Sequence, residues 1–113
     1  MLTLDSLKNF GADVETGVAR CAGKEDLYLK LVQTIPADEK FDSLKDALES
    51  KDFDRAFDIV HALKGVVTNL SITPLYDKIS ELTEYLRNKE DRDYTAILDE
   101  ILNLKNRLSD LCK

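Results

Sequence analysis

Apolar residues recur at spacings of three and four along almost the whole chain, the period of amphipathic helices rather than the alternation of strands. A short first helix is predicted from about Thr3 to Asn9, with Leu4 and Leu7 inward and Gly11 ending it. Asp13 reads as the N-cap of a second short helix reaching about Ala22, with Gly23 at its C′ position. From Lys24, the set Leu27, Tyr28, Leu31, Val32 and Ile35 predicts a third helix, interrupted near Pro36. Asp38 then opens a helix that carries Phe41, Leu44 and Leu48. The next segment is the most regular: Asp52 caps a helix in which Phe53, Ala56, Val60, Leu63, Val67 and Leu70 keep one apolar stripe over about five turns. Ser71 and Ile72 form a short link, and Thr73 followed by Pro74 reads as an N-cap with proline at the first helical position. The helix beyond presents Leu75, Ile79, Leu82 and Leu86 and fades at Asn88-Lys89-Glu90-Asp91. A final helix carries Ile97, Ile101, Leu104, Leu108 and Leu111.

Short links between long amphipathic helices make neighbours antiparallel. The expected fold is therefore all-α: an antiparallel up-down four-helix bundle built from the last four helices, with short N-terminal helices packed over one end. Residues 1–113 read as a single domain, a helical cap over 1–23 and a bundle over 24–113. Composition agrees, since four Gly and two Pro in 113 residues are too few for the turns of an all-β protein. Apolar residues at 43% and charged residues at 34% give a globular rather than disordered balance, in a chain long enough to bury a core without a metal or disulfide.

Charge narrows the partners. A net charge of −6 repels phosphate backbones and anionic bilayers, so neither nucleic acid nor membrane is expected as a partner. No stretch approaches the ~18 consecutive apolar residues of a membrane span. The segment Met1-Leu2-Thr3-Leu4-Asp5 lacks the basic start and apolar run of a signal peptide, which points to a cytoplasmic protein. The start at Met1 is read as favouring a free-standing chain. Cys21 and Cys112 lie far apart without metal-type spacing and are expected to be reduced thiols. Monomer is the expected state, because the apolar stripes are used up inside the bundle.

Candidate chemistry centres on the one histidine, His61, in the middle of the most regular helix. It follows Val60 and so sits beside the core stripe, not within it. Lys64 and Gly65, at i+3 and i+4, share its face, Thr68 continues that face, and Phe57 precedes it at i−4. A free imidazole with a reference pKa of about 6.5 is mostly a neutral nitrogen nucleophile near neutral pH. A lysine ammonium one turn away neutralises phosphoryl oxygens. Glycine in a helix interior costs roughly 1 kcal/mol relative to alanine and asks for a reason, either close helix packing or access for a partner.

The run His61-Ala62-Leu63-Lys64-Gly65-Val66-Val67-Thr68-Asn69-Leu70 resembles the H-x-L-K-G-x-x-x-N-L signature of histidine-containing phosphotransfer (HPt) domains of bacterial phosphorelays. Similarity extends to Gly11-Ala12-Asp13-Val14-Glu15, to Glu25-Asp26-Leu27-Tyr28, and to Leu44, Ala47-Leu48 and Asp52. The resemblance implies a four-helix bundle with His61 phosphorylated, Lys64 stabilising the phosphoryl group and Gly65 granting the partner access. It implies a phosphocarrier without autokinase activity, served by response-regulator receiver domains and a hybrid sensor histidine kinase. It implies no cofactor of the chain's own, the Mg²⁺ of transfer belonging to the partner receiver domain. Ser71 departs from the family, which has glycine there to end the helix.

Hairpin geometry adds weaker candidates. If the link centres near residue 72, Thr83 lies level with His61, and Ser80 and Arg87 lie one turn either side. One of these, or Gln33 from the third helix, is a candidate to hold the ring or phosphoryl group. Phe57, with Val32 or Ile35, is a candidate docking patch for receiver domains. Three other classes are considered. A sensor-kinase dimerisation domain lacks support because no acidic residue and Arg-Thr-Pro run follows His61. A di-metal bundle is suggested by the Asp58-x-x-His61 spacing but needs a second such motif, and the chain has one histidine. A non-catalytic helical adaptor is the remaining alternative.

Overall fold

Seven helices and no strands form along the chain, in a computed structural model that describes all 113 residues. Three short helices come first: α1 (Leu4–Phe10), α2 (Val14–Arg20) and α3 (Glu25–Val32). Four longer ones follow: α4 (Lys40–Glu49), α5 (Phe53–Asn69), α6 (Thr73–Arg87) and α7 (Thr95–Leu111). Each of the last four packs on the next, α5 against α6 most extensively. Lys105 of α7 lies over the ring of Phe41 in α4, which closes the four into a bundle. The all-α reading and the antiparallel bundle are observed.

Helix ends follow local chemistry. Thr3 and Ser6 form a reciprocal capping box, and Asp13 and Asp52 accept from the backbone N–H three residues on. Gly11 and Gly23 take the left-handed conformation after α1 and α2. Some helix boundaries differ from the sequence reading. Thr73 lies inside α6, with Ile72 at the N-cap and no side-chain cap bond. Helix α3 stops at Val32, because the hydroxyl and amide of Thr34 both donate to the Leu31 carbonyl, and the residue before Pro36 is pushed from helical geometry.

Ser71, where the resemblance implies glycine, still makes the glycine turn. Its φ is 56°, and the Ile72 amide donates to the Val67 carbonyl at 3.0 Å, the six-to-one bond that closes a helix end. The substitution therefore leaves the turn intact at the cost of a left-handed non-glycine residue, about 1 kcal/mol. Lys51 after α4 and Lys89 after α6 adopt the same conformation.

The three short helices gather at the end of the bundle where α5 turns into α6. The Asp13 amide donates to the Ser71 carbonyl at 3.0 Å, and Gly11 stands against Pro74. Tyr28 is fully buried, and its hydroxyl donates to the Leu70 carbonyl at 2.9 Å, satisfying an orphan acceptor at the C-terminus of α5. Gly17 makes room for that ring: a Cβ there would stand 2.7 Å from Tyr28 Cζ and 2.9 Å from its oxygen. The core is otherwise the predicted stripes, with Ala56, Val60, Leu63 and Val67 of α5 wholly inaccessible. On α3, Tyr28 and Val32 turn inward, whereas Leu27 and Leu31, also expected inside, are exposed. Eight residues leave α3 room for only a narrow buried face.

Burial pushes the Tyr28 phenol up to about 12, from the ordinary 10.0. The unfolded chain ionises first, so the phenol's contribution is whole below pH 10 and lost as pH rises from about 10 to 12. We predict that Tyr28→Phe destabilises the protein by about 1–2 kcal/mol at pH 7, because it leaves the Leu70 carbonyl unpaired. The wild-type advantage over this variant, measured by urea unfolding, is expected to shrink across that alkaline window.

Candidate functional site

Burying the α5 stripe decides where His61 points. One residue past Val60, a side chain is rotated about 100° from it around the helix axis. The imidazole is accordingly exposed while Val60 and Leu63 on either side are sealed. The Phe57 ring stacks beside it, with centroids 5.9 Å apart and planes 27° from parallel. Lys64 is half-buried, and its ammonium takes part in none of the protein's ion pairs. That cation is left for an external anion.

Gly65 gives the clearest signal. It is exposed and helical, and a Cβ built on it would meet nothing within 4 Å. Of the two reasons open to the sequence, close packing between helices is therefore removed. Gly17 shows the contrast, since there the missing side chain is required by Tyr28. Nothing inside this molecule needs Gly65 to be glycine. A recess of about 500 Å³ between the α4–α5 and α6–α7 turns does not include His61. The imidazole thus stands exposed outside the main recesses, open to a macromolecular surface.

The weaker candidates separate. The hairpin register holds, because Arg87 of α6 sets its guanidinium 5.7 Å from the Phe57 ring centroid, one turn before His61. Thr83, however, points into the core: it is fully buried and its hydroxyl donates to the Ile79 carbonyl at 2.6 Å. It does not reach His61. The Ser80 hydroxyl is buried without a hydrogen-bond partner and likewise makes no bond to the ring. Thr68 donates to the Lys64 carbonyl at 2.6 Å, a bond within the helix. Gln33 is exposed and its side chain makes no hydrogen bond. Val32 and Ile35, offered as docking residues, are 0% and 1% exposed and belong to the core, so only Phe57 of that patch is accessible, and that in part. Asp58 and His61 acquire no further ligands, since no group of three or more His, Cys, Asp or Glu side chains comes together. What the sequence reading missed is the Phe57–His61 stack; the i−4 spacing was visible, but the rotamers that bring the rings together were not.

With this geometry in view, comparison with protein families is decisive. The model of the Hpt domain matches residues 26–112. The chain belongs to the Hpt domain family. The family performs histidine phosphotransfer in two-component signalling, its members being phosphocarriers rather than kinases that work with receiver domains and kinases. Comparisons with curated proteins and with solved structures give no match. No helix is long and apolar enough to cross a membrane.

Because a Cβ at Gly65 meets open space, Gly65→Ala is predicted to stabilise the fold by about 0.5–1 kcal/mol, read as a higher urea midpoint. Gly65→Gln is predicted to fold equally well and to impair phosphotransfer, because the longer side chain obstructs the approach to the ring.

Proposed function

We propose that His61 is the phosphorylated residue and that the chain is a reversible carrier between receiver domains. The reading rests on one observation above others: an exposed imidazole flanked by an unpaired ammonium and by a glycine whose absent side chain nothing in the protein requires. In the forward step a neutral ring nitrogen of His61, Nε2 by family resemblance, attacks the phosphorus of a receiver's phospho-aspartate. The N–P bond forms as the P–O bond to the aspartate breaks, and the carboxylate departs with the electron pair. The reverse step delivers the group to the aspartate of a second receiver.

Lys64 supplies positive charge to the phosphoryl oxygens, and Gly65 admits the partner's active site. The rest of the machinery, with its Mg²⁺, belongs to the receiver, so this chain has no cofactor and no autokinase activity. A hybrid sensor histidine kinase stands upstream and response regulators downstream. The carrier acts as a cytoplasmic monomer, and its acidic surface keeps it from nucleic acid and membranes.

Incubation with a phosphorylated receiver domain tests this reading. Acid-labile, base-stable label is expected on the wild type and absent from His61→Gln; equal labelling of both would refute the carrier and leave a docking adaptor. Lys64→Ala is expected to slow transfer or shorten the phosphohistidine lifetime while the urea midpoint stays close to wild type. Unchanged rate and lifetime would remove Lys64 from the mechanism.

A further inference from the structure

Exposure alone does not aim an imidazole. A surface histidine samples several side-chain rotamers, and only some present a ring nitrogen to an incoming phosphorus. His61 takes part in no side-chain hydrogen bond that would choose among them, and the hydroxyls and amide first considered for that task, on Thr83, Ser80, Thr68 and Gln33, make no hydrogen bond to it. The contact the structure does give it is aromatic.

Phe57 is half-buried and packed against the core, so its ring is held by the bundle. From α6, the Arg87 guanidinium lies over that ring at 5.7 Å from its centroid. Arg87 is itself tied down, because its Nη1 donates to both carboxylate oxygens of Glu84, at 2.8 and 2.7 Å. Glu84, Arg87, Phe57 and His61 thus form a chain of contacts from α6 to the imidazole, ending in the 5.9 Å stack. On the helix, Phe57 and Gly65 flank His61 at about 40° to opposite sides. One side carries a wall and the other an opening.

We infer that Phe57 is a positioning residue for phosphoryl transfer: its ring restrains the His61 imidazole and leaves the Gly65 side as the line of approach for the partner. The inference rests on the proposed role of His61. A positioning role acts on the rate of transfer within the docked pair, not on docking.

The test uses the full chain and a receiver domain charged with acetyl phosphate. Phe57→Leu retains apolar bulk but removes the stack. It is expected to lower the transfer rate at saturating receiver about two- to tenfold, the population bias an aromatic pair supplies, with little change in the half-saturating concentration. Phe57→Tyr restores the stack and is expected to restore the rate. In the wild-type protein, nuclear Overhauser contacts between the Phe57 and His61 ring protons are expected without any variant or partner. Absence of those contacts, or a wild-type maximal rate in Phe57→Leu, overturns the inference. If His61→Gln is unlabelled while Phe57→Leu transfers normally, the positioning role alone fails. If His61→Gln is labelled like the wild type, the carrier reading fails and takes this inference with it.

Discussion

The burial of a single apolar stripe on α5 is the constraint from which the rest of the site follows. Ala56, Val60, Leu63 and Val67 are sealed against neighbouring helices, which leaves α5 no freedom to rotate about its axis. Each buried aliphatic side chain contributes about 1.5–3 kcal/mol, so turning the helix by one residue to hide His61 would expose several of them at once. The imidazole is therefore held outward by packing in which it takes no part. Lys64 and Gly65 inherit their positions from the same rotation, one turn along.

The cap over the far end of the bundle serves this arrangement. Where α5 stops, its last carbonyls need partners, and Tyr28 from α3 supplies a hydroxyl while Ser71 turns the backbone into α6. Gly17 permits the Tyr28 ring to enter, and the Asp13 amide binds the turn itself. These contacts join the short helices to the long ones through the α5–α6 corner. The pairing of α5 with α6, and with it the placement of Arg87 beside Phe57, depends on that corner being defined.

At the site, charge and shape divide the labour. The protein as a whole is acidic, yet the cation nearest His61 on its own helix is not neutralised by any carboxylate. Arg87, the other nearby cation, is committed to Glu84 and to the Phe57 ring. An exposed imidazole with a small residue beside it suits the proposed chemistry, in which the other reacting group arrives on a protein surface. That is the arrangement a phosphocarrier requires, since an enclosed pocket would exclude the receiver's aspartate.

Much of this was legible in the chain. Helical period, the cap residues Asp13 and Asp52, the stripe on α5 and the outward placement of His61 all depend on interactions within a few residues, which sequence spacing records directly. The H-x-L-K-G run marked the family for the same reason, because imidazole, cation and gap lie on adjacent turns of one helix. Contacts between helices were another matter. Spacing placed Thr83 level with His61 but could not show its hydroxyl turning into the core, and it placed Val32 and Ile35 on an amphipathic face without showing which side of the short α3 was covered. Whether Gly65 was needed for packing, and that Phe57 lies against the imidazole, were decided only by tertiary structure. A sequence carries the period of a helix; the direction from which its neighbours approach is set by packing among segments far apart in the chain.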